Sequence, residues 1–196
     1  MTSRQFAQLI SNAFDWLVTV DPHLHRYSSL SEIYRVPTQV VHAAPLISEW
    51  IKANVVDPLI IGPDSESEQW VSAVAKDASA PFTVLHKVRR GDREVEISVE
   101  NMQAVDGRTP VFVDDIISSG RTMLQAVRLI TAGGSMAPVC IAVHGLFADE
   151  SDRLLAHAGA RVVTSNTIAQ KTNAIDVHAS IADAIRTLRM RRALKG

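Results

Sequence analysis

Residues Val111–Met123 read VFVDDIISSGRTM, and the fold of the chain is decided there. Val111, Phe112 and Val113 are β-favouring apolar residues with no polar alternation, the pattern of a strand buried on both faces of a parallel sheet. Asp114 and Asp115 stand at its carboxyl end. Ser118, Ser119, Gly120, Arg121 and Thr122 make a short hydroxyl-rich loop, and Met123–Ile130 continues with helical apolar spacing. A helix start presents unpaired N–H groups and the positive end of its dipole, so this loop suits a phosphate dianion without needing a Lys. Paired carboxylates accept hydrogen bonds from vicinal hydroxyls or hold a hydrated Mg²⁺. Acids for a diol beside a nest for a phosphate describe a ribose 5-phosphate site. An ordinary strand-to-helix turn with a Ser cap has the same outline, but two adjacent acids at a strand end are expensive unless something uses them.

Outward from this stretch, strands and helices alternate. Upstream, Phe82–Leu85 reads as a strand entering a charged segment, His86–Glu96, with Val95–Val99 as the other arm of a hairpin. Pro58–Ile61 is a buried strand leading to Gly62-Pro63-Asp64. Ser65 and Ser67 are candidate caps for a helix whose apolar face carries Trp70, Val71, Val74 and Ala75. Pro45–Lys52 is a helix, Pro37–Val41 a weak strand, and Leu17–Val20 a strand ending in Asp21-Pro22-His23-Leu24-His25. Ser3–Ala13 has Phe6, Leu9, Ile10 and Ala13 at helical spacing. Downstream lie strand Val139–Val143, helix Glu150–His157, strand Val162–Thr164 and a last helix near Ile181–Met190. The alternation predicts an α/β fold with a mainly parallel sheet flanked by helices. Ligands in such sheets bind at the carboxyl ends of the strands.

At 196 residues and 46% hydrophobic content the chain can bury one substantial core, with room for a fragment of a second domain. A formal charge of −1 predicts neither a nucleic-acid partner nor an anionic membrane surface. The single cysteine, Cys140, lies in an apolar run and reads as a buried small hydrophobe; without an internal disulfide, a reducing cytoplasm is the expected setting. No apolar stretch approaches membrane-spanning length, and the first residues do not form a signal peptide.

The carboxyl-end rule picks out further candidates. His23 and His25 follow the first strand as a His-x-His pair, a surface or capping feature as readily as a metal site, with no third ligand at zinc-like spacing. Asp64 follows Pro58–Ile61, where a helix cap is the ordinary explanation. Lys87, Arg89 and Arg90 lie in the charged hairpin, where a solvated loop is the ordinary explanation.

Together the pieces TVDPHLHR, IIGPDSESEQW, HKVRRGDREVEI, VFVDDIISSGRTM, AVHGLF and VVTSNTI resemble, in order, the ribose-phosphate diphosphokinases, which are the phosphoribosyl diphosphate synthetases. The resemblance covers the whole chain and implies a type I phosphoribosyltransferase-like fold with a flap hairpin. It further implies transfer of the diphosphoryl group of ATP to the anomeric hydroxyl of ribose 5-phosphate, for nucleotide biosynthesis, with Mg²⁺. Asp114 and Asp115 would hold the ribose hydroxyls and Ser118–Thr122 the 5-phosphate. His23 and Asp64 would lie near the metal and the ATP phosphates, and Lys87 and Arg89 would be catalytic cations on the flap.

The chain departs from the family pattern in two places. Complete synthetases have two related α/β domains, and the aromatic-acidic loop and Arg-Gln-Asp-type segment of the first are absent here. Residues 1–40 therefore read as the remnant of an amino-terminal synthetase domain, and 41–196 as the phosphoribosyltransferase-like domain. At Ser65–Trp70, SESEQW replaces the common Gly-Gly pair and Arg. The missing half leaves open an inactive truncated synthetase, a non-catalytic synthetase-like binding subunit, or a phosphoribosyltransferase that consumes phosphoribosyl diphosphate and a nucleobase. It also predicts a homo-oligomer, with Phe6, Leu9, Trp16 and Tyr34 as the self-associating surface.

Overall fold

The computed structural model describes residues 2–24, 27–63, 67–90, 94–99 and 105–193. The chain divides into two units, Met1–Ala43 with Val177–Gly196, and Ala44–Asp176.

The first unit opens with α1 (Ser3–Ala13), started by a capping box in which Gln5 N donates to Thr2 Oγ1 and Thr2 N to Gln5 Oε1. Strands β1 (Leu17–Val20) and β2 (Thr38–Val41) pair in parallel, Leu17 opposite Thr38. At the end of β1 the Asp21 carboxylate accepts from Ala43 N at 2.7 Å and bonds His42 Nδ1 at 3.1 Å.

The second unit runs through α2 (Ala44–Asn54), β3 (Pro58–Gly62), α3 (Glu68–Ala78), β4 (Phe82–Arg90), β5 (Glu94–Val99), β6 (Thr109–Ile117), α4 (Arg121–Ala132), β7 (Val139–Gly145), α5 (Ser151–His157), β8 (Arg161–Ser165) and β9 (Asn173–Ile175). Its strands form a seven-stranded sheet among the described residues, in the order β5-β4-β3-β6-β7-β8-β9. Only the β4–β5 hairpin is antiparallel within that sheet. The last helix, α6 (His178–Ala193), packs on β1 and β2 with Ala184 and Leu188 buried. It therefore belongs to the first unit, whereas the sequence reading grouped it with residues 41–196.

Burial follows strand alternation. Phe112, Cys140, Ala142, Leu59 and Ile61 join one core cluster with Met123, Ala126, Val127 and Ile130 of α4 and Leu155 of α5. Val111, Val113, Ile60, Ile141 and Val143 have the opposite parity and are equally buried. Both faces of β6 are thus covered, as an unalternated apolar run requires. Burial pushes the Cys140 thiol far above its ordinary range. The expected consequence is that a thiol reagent at pH 8 leaves the folded protein unlabelled and labels it fully in denaturant; rapid labelling of the native chain would contradict the buried placement.

Several expected elements have different limits. β6 continues past Val113 to Ile117, so the acid pair lies inside a strand rather than at its tip. α4 begins at Arg121, which places Arg121 and Thr122 in its first turn and shortens the loop to Ser118–Gly120. Ser67 sits at the start of α3 in a helical conformation without a side-chain capping bond, and Ser65 lies outside the described residues. β9 was not anticipated at all.

Candidate functional site

Sheet order turns at one place. From β3 the chain crosses through α3 to β4 on one side, and from β6 through α4 to β7 on the other. The carboxyl ends of β3 and β6 therefore flank a topological switch point, where helices depart to opposite sides and leave a crevice. The ladder between the two strands ends at Ile61 opposite Phe112, while the ladder from β6 to β7 continues to Ile117 opposite Gly145. Asp114 and Asp115 stand just beyond the last β3 pair, which is why acids are tolerated in this strand. Both are half-buried, and Asp114 Oδ1 accepts from Asp115 N at 2.9 Å. Neighbours in a strand lean to opposite faces, so the two carboxylates leave β6 on different sides.

After Ile117 the chain turns through Ser118 and Ser119 to Gly120, whose φ of 60° and ψ of 11° are left-handed. Gly120 caps α4 without a side-chain acceptor, and the first turn carries no acidic residue. No side chain caps the leading amides of α4, and the dipole at this end favours an anion. Met123, Ala126, Val127 and Ile130 are the buried stripe that fixes this helix on the sheet. A Cβ on Gly120 would lie 3.2 Å from Ser151 Cβ and would have to adopt the left-handed conformation. Gly120→Ala is expected to cost about 1–2 kcal/mol in stability and to weaken anion binding at this turn several-fold, read by denaturant titration and by calorimetry. Unchanged affinity would show that the turn's backbone shape is immaterial.

The loop is tied from behind. Ser151 Oγ, on a residue only 1% exposed, donates to Ser118 O at 2.6 Å. Leu146 N and Phe147 N both donate to Ile117 O. Arg121 comes no nearer than 4.0 Å to Asp149, with both side chains exposed, a weak surface pair. At the ends of β7 and β8, His144 Nδ1 bonds Thr167 Oγ1 at 2.9 Å, and Ser165 Oγ donates to Val143 O at 2.6 Å. Asn173 Nδ2 donates to Ser165 O at 2.6 Å. The Ser151–Ser118, His144–Thr167 and Ser165–Val143 bonds carry no spacing signal, because each depends on residues roughly 20–35 positions apart meeting in space.

The other candidates are distributed differently. Lys87 and Arg89 lie on β4 opposite Ile97 and Val95 of the hairpin. His23 is an exposed residue of the first unit, following β1. Asp64, like His25, lies outside the described residues. Among the described residues no three His, Cys, Asp or Glu side chains gather as a metal cage. Either half-buried carboxylate fits Mg²⁺ in its usual mode, in which the ion keeps waters and takes further oxygens from substrate phosphates.

The model of the phosphoribosyl transferase domain matches residues 29–181. The chain belongs to the phosphoribosyl transferase domain family. Within it, the chain is similar to the ribose-phosphate pyrophosphokinase of Halobacterium salinarum, 32% identical over 189 residues, covering 94% of this chain and 64% of that protein. The one from Sulfurisphaera tokodaii is 29% identical, covering 87% of this chain and 60% of that protein. The chain thus spans about 60% of the length of the curated relatives it matches. The crystal structure of a phosphoribosylpyrophosphate synthetase from Mycobacterium smegmatis shares the fold, with a TM-score of 0.76 and 23% identity, covering 96% of this chain and 63% of that one. The parallel sheet flanked by helices is accordingly the phosphoribosyltransferase-type fold. No helix among the described residues is long and apolar enough to cross a membrane.

Proposed function

We propose that the second unit binds ribose 5-phosphate for ribose-phosphate diphosphokinase chemistry, the transfer of the diphosphoryl group of ATP to the sugar's anomeric hydroxyl. The single observation carrying this reading is the Asp114–Thr122 segment at the switch point, with half-buried acids just ahead of a helix that lacks its own cap. Asp114 and Asp115 accept from the ribose hydroxyls. Ser118, Ser119, Gly120, Arg121 and Thr122 enclose the 5-phosphate with amides and hydroxyls. Similarity to proteins named ribose-phosphate pyrophosphokinase supports the choice of reaction.

Phosphoryl transfer asks the protein for positioning and charge neutralisation more than for covalent chemistry. In this reading Lys87 and Arg89, on the hairpin strand beside β3, are the cations that meet the transferring group. For His23 and Asp64 a role toward the nucleotide phosphates rests on the family resemblance alone. Mg²⁺, when bound, adds charge neutralisation on the phosphate oxygens; Asp114 and Asp115 are its candidate carboxylates in the second unit. Residues 1–40 correspond to part of an amino-terminal synthetase domain in this proposal. Self-association belongs to the same reading, because Phe6, Leu9 and Phe14 are exposed and all four residues of β1 are only half-buried. Parallel strands ordinarily have both faces covered. Trp16 and Tyr34 instead line a half-open cavity of about 1100 Å³ with Arg35, Pro37, Leu188 and Arg191.

Calorimetric titration tests the function. Heat with ribose 5-phosphate and then with Mg-ATP supports the synthetase reading. Heat with the sugar phosphate alone reduces the chain to a binding subunit. Heat only with phosphoribosyl diphosphate and a nucleobase replaces the reading by a base transferase, and no heat with any of them removes it.

A further inference from the structure

Both carbonyls that lead into the Ser118–Gly120 turn face the segment following β7. Ile117 O accepts from Leu146 N at 3.0 Å and Phe147 N at 3.1 Å, and Ser118 O accepts from Ser151 Oγ at 2.6 Å. In a planar trans peptide the N–H of the next residue points opposite to the C=O. The amides of Ser118 and Ser119 therefore point away from residues 146–151. Leu146 and Phe147 continue from β7, on the far side of β6 from β3, so the Ser118 amide is turned to the β3 side, and the Ser119 amide is turned away from the start of α5.

The donating segment is held in an unusual shape. Phe147, Asp149 and Glu150 have φ of 49°, 56° and 54°, three left-handed non-glycine residues within four positions. Each is disfavoured by its Cβ, and such conformations persist where surrounding contacts require them. Here they bring two backbone amides and one buried hydroxyl onto the carbonyls of the opposite loop. Gly145 adds to the tight path: a Cβ there would lie 2.6 Å from the Phe147 ring. Neither the acid pair nor the α4 terminus explains why this connection bends so sharply.

We propose that Ser151 is a positioning residue for the sugar phosphate: its buried hydroxyl holds the Ser118 carbonyl away from the crevice and so aims the Ser119 amide at the ligand's phosphate. This rests on the reading of Asp114–Thr122 as a sugar-phosphate site. Ser151 itself touches no ligand; it acts through one peptide plane. Without its donor, that peptide can rotate and present an oxygen where the anion needs a hydrogen.

The test compares Ser151→Ala and Ser151→Cys with Ser48→Ala. The cysteine fills the serine's volume with a much weaker donor, so it tests the hydroxyl even where alanine disturbs folding. Ser48 is an equally buried hydroxyl between α2 and α3, donating to Ala44 O at 2.8 Å and Val74 O at 3.0 Å, away from the crevice. Titration with ribose 5-phosphate is expected to show about tenfold weaker binding for both Ser151 variants and wild-type affinity for Ser48→Ala, whatever its melting temperature. The shift that ribose 5-phosphate induces in the Ser119 amide NMR signal should shrink in both Ser151 variants and persist in Ser48→Ala. Wild-type affinity in both Ser151 variants, or affinity that merely tracks melting temperature across the three proteins, would overturn the proposal. A wild-type chain that binds no ribose 5-phosphate would remove the site reading first, and this proposal with it.

Discussion

Asp114→Asn is expected to weaken ribose 5-phosphate binding about three- to tenfold while leaving the melting temperature nearly unchanged. A hydrogen bond from a sugar hydroxyl to a carboxylate contributes about 1.5–3 kcal/mol, and the amide forfeits the charge-assisted part of it. Asparagine preserves the Oδ1 atom that accepts from Asp115 N at 2.9 Å, so the local backbone loses nothing. Asp115→Asn should cost a similar factor. Strand alternation sends the two carboxylates to different faces, so they meet different parts of the ligand, and the double variant should approach the product of the two single effects. Calorimetry on the three variants decides the matter. A double variant no worse than either single one would mean that the acids act as one clamp, and unaltered binding in all three would end the diol assignment.

The second large effect concerns stability. Phe112→Ala should destabilise the second unit by about 3–5 kcal/mol, which corresponds to a fall of roughly 10–20 °C in its melting temperature. Phe112 is 1% exposed and is among the largest fully buried side chains of the core. It contacts the stripe that seats α4, so the loss falls on the element whose amino terminus forms the proposed anion site. Phe112→Leu keeps most of the volume and should cost about 1–1.5 kcal/mol. Denaturant midpoints, with unchanged slopes, measure both. A cost below about 1 kcal/mol for Phe112→Ala would mean that the sheet and α4 are not jointly packed through this residue.

Much of the second unit is legible in its residues because each element is locally consistent. Val111–Val113 lacks polar alternation, and Met123, Ala126, Val127 and Ile130 recur at helical spacing; both patterns have only one well-packed solution. The strand–acid–loop–helix order could be read for the same reason. Three features lay beyond such patterns. β9 is three residues long, Asn173–Ile175, too short for a period to register; it pairs with β8 through the backbone, and Asn173 Nδ2 reinforces the pairing by donating to Ser165 O and Thr164 Oγ1. The extension of β6 through two aspartates contradicts strand preference; the β7 ladder, with Asp114 opposite Ala142, imposes it. α6 is only weakly amphipathic, and its packing on β1 and β2 assigns it to the first unit.

Local chemistry determined the essential proposal on its own: an apolar strand, two carboxylates, hydroxyls and a helix start can be ordered without knowing what lies beside them, since each preference spans only a few residues. What surrounds those groups was a decision of the tertiary structure. β3 stops pairing at Phe112 and so opens a crevice beside the acids, and Ser151, 33 positions beyond Ser118, reaches back to turn its carbonyl away. Strand adjacency and peptide orientation arise from long-range packing, which no short stretch of residues encodes.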